Sequence, residues 1–127
     1  MLKEAVICIV IIMGILGLEN FTQNFTLKTV SEITEMFSKV EESIAKRDAE
    51  KINDEIKIIS DKWEEKQKKL AYYIEHDELE KVHTAIVIMK SYAETEDYSS
   101  AMAALEEGKF VIEHIQEKNS FNLQNIF

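Results

Sequence analysis

The chain has 127 residues, a formal net charge of -9 at pH 7 and no proline. Its length allows one small domain, because a self-sufficient core needs on the order of 100 residues. The acidic excess disfavours binding to nucleic acid and docking on anionic lipid through a basic face, since both partners present phosphates. Helix-forming residues dominate and only three glycines are present, so the composition predicts an all-α fold with short turns.

The first element along the chain is an apolar segment, residues 5–18, without a charged, amide or hydroxyl side chain. As a helix it would span about 21 Å, short of a hydrocarbon core of roughly 30 Å, but Leu2, Phe21 and Phe25 extend its apolar character. It also lacks the polar stripe that a helix of a small soluble bundle shows. We therefore predict an N-terminal transmembrane or signal-anchor helix over residues 1–23. Its predicted lipid-contacting residues are Ala5, Val6, Ile7, Ile9, Val10, Ile11, Ile12, Met13, Ile15, Leu16 and Leu18.

Two other interpretations of the segment stay open at the level of sequence. It could be an apolar helix buried in a complex, or a signal peptide that is cleaved, although the leader is barely positive and no good cleavage site follows it. Lys3 and the initiating amine precede the segment, whereas Glu19 begins a flank without basic residues before Lys28. This asymmetry predicts a single-pass protein of the cell membrane, with the amino terminus inside and the C-terminal domain outside the cytoplasm.

Beyond the anchor, apolar residues recur at intervals of three and four, which predicts amphipathic helices. The first starts near Leu27, where Thr29 and Glu32 have the spacing of a capping box. The second and longest follows Asp48, which is a favourable N-cap residue. It carries Trp63, whose place in the apolar stripe indicates a core residue rather than a ligand platform.

The third helix is predicted after a break at residues 76–77, with Asp77 and Glu80 as its capping arrangement. A polar stretch at residues 94–97 separates it from the fourth, which is predicted to end near Asn119.

The predicted architecture is thus an anchor helix followed by an antiparallel bundle of about four helices, arranged as two helical hairpins. The bundle occupies residues 24–119, and the apolar C-terminal tail, residues 120–127, is expected to pack on it. The predicted core residues are Phe37, Ile56, Ile59, Trp63, Leu70, Ile86, Met89, Leu105 and Ile112.

The two hairpins show a partial internal repeat. Sliding the chain by 49 residues superposes the apolar stripes and places Asp48 on Asp97. A duplication would explain this match, but 49 residues are seven heptads, so any heptad-like stripe matches itself at that shift.

One polar set has the spacing of a metal site. His76, Glu80 and His83 would share a helix face, with Asp77 or Glu78 as a further oxygen ligand. The alternative, which we favour, is that these residues have a surface or turn role. No Ser-His-Asp or Cys-His arrangement and no phosphate-binding loop is evident. We therefore expect a non-enzymatic protein without a cofactor.

Several short motifs stand out along the chain. They are the apolar leader, an aspartate before the helix with Trp63, IEHDE at 74–78, a turn at Asp97, IEHI at 112–115 and NLQNIF at 122–127. Together they resemble those of the bacterial domain-of-unknown-function family 4363, small membrane-anchored helical proteins of clostridia and their relatives. The resemblance implies a single N-terminal span and a helical domain outside the cytoplasm, with no established activity or cofactor. It further implies that a multi-pass membrane protein is encoded nearby and could be assisted by this chain.

Two functions follow as hypotheses. The first is an anchored accessory protein that contacts membrane lipid through its N-terminal helix. It would bind another membrane or envelope protein through a groove between the hairpins or through the tail. The second is an extracytoplasmic metal-sensing or small-ligand-sensing domain that uses His76, Glu80 and His83.

Overall fold

The computed structural model describes the backbone of residues 1–126 and the side chains of residues 1–119. Within this part, the secondary structure consists of four α-helices joined by turns. They are α1 (Leu2–Lys46), α2 (Ala49–Leu70), α3 (His76–Glu94) and α4 (Tyr98–Ile126). The predicted all-α fold with a long apolar N-terminal helix and a helical bundle is confirmed.

The helices form a four-membered antiparallel ring. Each packs on the helix that precedes and follows it in sequence, and α4 returns to pack on α1. Consequently α1 and α3 lie across the bundle from each other, as do α2 and α4. Short turns enforce this order, because a helix that follows a short turn can only run back along its predecessor.

The core lies along the inner faces of all four helices. The sequence-predicted core residues are each 2% exposed or less in the structure. Trp63 lies in the middle of α2, and its indole Nε1 has no hydrogen-bond partner among the described residues. The ring therefore contributes through burial of its apolar area rather than through a polar contact.

The boundary predicted near residue 24 is wrong as a helix boundary, because α1 continues unbroken from the apolar segment into the bundle. The capping box at Thr29 and Glu32 is also wrong, since both residues lie inside α1, where no backbone N–H is free. The hydroxyls of Thr22 and Thr26 donate to the carbonyls of Glu19 and Thr22, at 3.0 and 2.8 Å. These polar side chains are thereby satisfied within the helix and do not end it.

Two further helix ends differ from the sequence predictions. Helix α3 begins at His76 after the N-cap Glu75, so Asp77 does not cap it and lies in its first turn. Helix α4 continues to Ile126 instead of ending near Asn119. No glycine or proline follows Asn119 to stop it. The predicted packing of the tail, residues 120–127, concerns side chains outside the described residues.

The turns at the end of α1 and the end of α3 have the same geometry. Arg47 and Glu96 adopt the left-handed conformation, with φ of 55° and 58°. Each donates its N–H to the carbonyl three residues earlier, and the aspartate after each donates to the carbonyl five residues earlier, which is the Schellman pattern. Asp48 and Asp97 then accept the N–H three residues further on, both at 3.3 Å. This equivalence at the 49-residue shift is independent of heptad spacing and supports a duplicated hairpin.

The N-terminal part of α1 projects beyond the other helices. All the predicted lipid-contacting residues are exposed, and none of the most apolar 18 residues of α1 is buried in the bundle. From Leu2 to Phe21 this part is about 30 Å long, which equals the hydrocarbon thickness of a bilayer. By length and composition, α1 could therefore provide a single membrane span or a signal anchor.

Candidate functional site

The structure brings together two of the three residues proposed as metal ligands. His76 Nε2 lies 3.4 Å from Glu80 Oε1, and both side chains are more than half exposed. His83 is exposed on the same helix. Across residues 1–119, no three His, Cys, Asp or Glu side chains are grouped closely enough to hold a metal ion. This surface therefore offers one exposed ion pair, which forms when His76 is protonated.

A small polar pocket lies beside the turn that joins α2 and α3. Its volume is about 110 Å³. The turn and the start of α3 supply one wall, and α4 supplies the other. The lining residues are Tyr73, Ile74, Glu75, Glu78, Ile115, Lys118 and Asn119.

Glu78 is the most unusual residue of this pocket because it is a carboxylate buried to nine-tenths. Its Oε1 lies 3.7 Å from Lys118 Nζ and 3.9 Å from Lys81 Nζ. Lys118 Nζ also lies 3.2 Å from Glu75 Oε2. The second oxygen, Oε2, is buried without a hydrogen-bond partner in the described structure. An unsatisfied buried polar group costs about 1–3 kcal/mol, so a donor that entered the pocket would relieve this cost.

Tyr73 connects α1 to the turn between α2 and α3, which borders the pocket. Its hydroxyl lies 2.7 Å from Thr26 Oγ1, with one of the two hydroxyls donating to the other, and 3.2 Å from the carbonyl of Thr22. Burial raises the pKa of the Tyr73 phenol, and the hydrogen bond with Thr26 opposes this effect more weakly. The neutral phenol therefore holds the α2–α3 turn at the level of Thr22, one residue past Phe21.

A wider groove separates the two hairpins where α1 faces α4. It has a volume of about 560 Å³ and opens to solvent. The hydroxyl Oγ1 of Thr34 is buried there without a partner among the described residues. At the far side of the groove, Lys109 Nζ contacts Glu41 Oε2 at 3.3 Å and joins α4 to α1. The lining residues are Leu27, Val30, Ser31, Thr34, Glu35, Ser38, Glu113 and Gln116.

Sequence reasoning anticipated parts of these sites. It named Glu78 as a possible oxygen ligand but did not place it on the buried face, although it lies four residues before the core residue Val82. It missed Tyr73 and Lys118, because they reach the pocket from the turn and from a different helix. No local pattern signals such contacts.

The comparison with protein families gives a match that covers most of the chain. The family described as "Domain of unknown function (DUF4363)" matches residues 20–126. The chain belongs to the DUF4363 family. The match begins just after the apolar segment, so the DUF4363 domain comprises the bundle and the part of α1 that enters it. No curated protein and no solved structure matches this DUF4363 chain.

Proposed function

We propose that this DUF4363 protein is a membrane-anchored accessory protein that acts by binding another membrane or envelope protein rather than by catalysis. The N-terminal part of α1 is the anchor, and the groove between the hairpins receives a segment of the partner. The bundle lies outside the cytoplasm, as the charges that flank the apolar segment favour.

The observation that carries this proposal is the continuity of α1 through both regions. Because no linker intervenes, the distance of the groove from the membrane is fixed by the rise of one helix. If the span ends near Phe21, the groove begins at Leu27, about 9 Å further along the axis, and reaches Ser38 at about 26 Å. A partner that leaves the same bilayer would meet the groove with its first extramembrane residues.

The chemistry of the groove fits a polypeptide partner. Leu27 and Val30 offer apolar surface, the Thr34 hydroxyl lacks a partner, and Glu35 and Glu113 supply carboxylates at the rim. Such a mixture can accept backbone N–H groups and basic side chains from an incoming segment.

Site-specific photocrosslinking in native membranes tests this proposal. A photoreactive residue at Ser31, which is exposed in the groove, should give a discrete adduct with one membrane protein. The same residue at Asp54, which is exposed on α2 away from the groove, is the matched control. Identical adducts from both positions, or none from Ser31, would refute the groove as the binding surface.

The orientation needs a separate test. In a Cys8→Ser background, a cysteine at the exposed Ala103 of α4 should react in intact cells with a thiol reagent that cannot cross the membrane. Labelling that requires permeabilised cells would place the bundle on the cytoplasmic side.

A second function, sensing of a cation or small ligand, is favoured by the buried, unpaired oxygen of Glu78. Calorimetric titration of the protein with calcium and zinc should release or absorb heat that Glu78→Gln abolishes. Glu80→Gln is the control for the exposed pair with His76. The absence of any heat in the unsubstituted protein would eliminate this function.

A further inference from the structure

The last turns of α2 carry lysines that the structure places close to the membrane end of the bundle. Lys66 Nζ and Lys69 Nζ lie 5.2 and 5.8 Å from the centre of the Phe25 ring. Phe25 is four residues, or about 6 Å along the axis, beyond Phe21. The headgroup layer on each side of a bilayer is about 5–7 Å thick. If the span ends near Phe21, these ammonium groups therefore lie at the level of the headgroups.

The neighbouring turn adds an aromatic residue at the same height. The Tyr73 hydroxyl contacts the carbonyl of Thr22, so the turn lies level with the end of the proposed span. Tyr72, the residue before it, is 90% exposed. An exposed tyrosine at this depth is typical of the membrane interface, where the ring meets acyl chains and the hydroxyl stays in water.

Both ends of the bundle carry carboxylates. Asp48, Glu50, Glu96 and Asp97 lie at the far turns, near Lys46 and about 38 Å from Phe21, several screening lengths away at physiological ionic strength. At the membrane end, Glu75 and Glu78 lie 3.2 and 3.7 Å from Lys118 of α4. Asp77 and Glu80 are exposed on α3, whereas Lys68 and Lys69 are exposed on the last turn of α2.

Near the membrane end α2 carries three lysines, of which Lys66 and Lys69 lie against the Phe25 ring. Lys68 and Lys69 are exposed, whereas the Lys66 side chain is 13% exposed and lies 4.0 Å from Glu32. Glu64 and Glu65 precede Lys68 and Lys69 by one turn of α2. Because α2 runs toward the membrane, they are about 6 Å further from the bilayer than these two lysines.

We propose that the end of the bundle formed by the last turn of α2 and the α2–α3 turn docks on the surface of an anionic bilayer. Lys68 and Lys69 contact headgroup phosphates, and Tyr72 enters the interface. The proposal rests on the anchoring described above and adds a second, electrostatic contact with lipid.

Nanodiscs of two lipid compositions test the docking with the full-length chain. A fluorophore sensitive to polarity is attached to Ala71→Cys in a Cys8→Ser background, because Ala71 is exposed and adjoins Tyr72. In discs with about three parts phosphatidylcholine to one part phosphatidylglycerol, the emission should shift to the blue relative to pure phosphatidylcholine, and salt should reverse the shift.

Charge-removing variants identify the groups responsible. Each neutralised lysine should lower the ratio of docked to undocked bundle about fivefold, so Lys68→Gln with Lys69→Gln should lower it about 25-fold. Lys51→Gln with Lys57→Gln removes the same charge from the far part of α2 and should have no effect. Equal emission in the two kinds of disc, or equal loss with both pairs, would overturn the proposal.

Two further measurements distinguish binding of lipid from binding of free phosphate, and docking from anchoring. A blue shift caused by inorganic phosphate in pure phosphatidylcholine discs would assign the site to free phosphate and overturn the lipid assignment. Flotation of the protein with vesicles after alkaline extraction reports anchoring alone. Loss of flotation would refute the proposed anchor, whereas retained flotation with an unchanged emission would refute only the docking.

Discussion

Gly108 of α4 lies directly against the ring of Phe37 of α1. A Cβ atom built at Gly108 would be 2.7 Å from Phe37 Cζ and 3.1 Å from Cε1, and the ring is completely buried. This contact lets α4 approach α1 closely enough to close the ring of four helices. The glycine therefore serves helix packing and not a turn, since it lies in the interior of α4.

Gly108→Ala should lower the free energy of unfolding by about 1 kcal/mol. The buried Phe37 ring must shift against its neighbours to admit the methyl group, and such overpacking costs about 1–3 kcal/mol. The better helix propensity of alanine offsets about 1 kcal/mol of this cost. Urea denaturation followed by Trp63 fluorescence measures the change. Phe37→Leu should relieve the clash, so the two substitutions together should cost less than the sum of the separate costs. If the two costs are additive, the contact between residue 108 and the Phe37 ring is not the cause of the destabilisation.

Glu96→Gly should raise the free energy of unfolding by about 0.5 kcal/mol. A non-glycine residue in the left-handed region costs about 1–2 kcal/mol, and the larger chain entropy of glycine in the unfolded state offsets part of this gain. Thr95→Gly is the matched control, because Thr95 has φ of -95° and should lose stability. Thermal unfolding of both variants checks the prediction, which fails if Glu96→Gly is the less stable of the two.

Tyr73→Phe should destabilise the bundle by about 1 kcal/mol at pH 7, since the hydrogen bond between the phenol and the Thr26 hydroxyl is lost. The folded pKa of Tyr73 is raised above its ordinary value of 10.0, so the unfolded chain ionises first as the pH rises. The stability due to the neutral phenol is thus complete below pH 10 and declines above it. Urea denaturation at a series of pH values should show that the difference in free energy of unfolding between the two proteins narrows as the pH rises above 10. A difference that widens would contradict the proposed direction.

Removal of residues 1–18 should leave a bundle that folds cooperatively. No residue of this part is buried, and the core begins at Val30. The truncated chain should stay in solution without detergent, because the exposed apolar surface of residues 1–18 is gone. Urea denaturation followed by Trp63 fluorescence should show a single cooperative transition. Aggregation or a non-cooperative transition would indicate that residues 1–18 support the fold.

The sequence pattern determined much of the fold for a simple physical reason. Ile52, Ile56 and Ile59 recur at helical spacing along α2, and a stripe of this kind can only be buried against other helices. Asp48 likewise acts locally, and it caps α2 as its position suggested. Thr29 and Asp77 show the limit of such local signals, because each fits a capping pattern but caps no helix. Thr29 lies inside α1, which starts much earlier, and Asp77 lies in the first turn of α3, which starts at His76.

The sites depended on the tertiary structure to a greater degree. Glu78 and Lys118 are 40 residues apart, and only the pairing of α3 with α4 brings them within 3.7 Å. The lysines around Phe25 were concealed by a net charge averaged over the whole chain, which contains no information about where charges lie along the bundle axis. The sequence by itself determined which faces are apolar and where the apolar N-terminal segment lies. Packing decided which polar groups meet, because such contacts depend on how the helices are aligned.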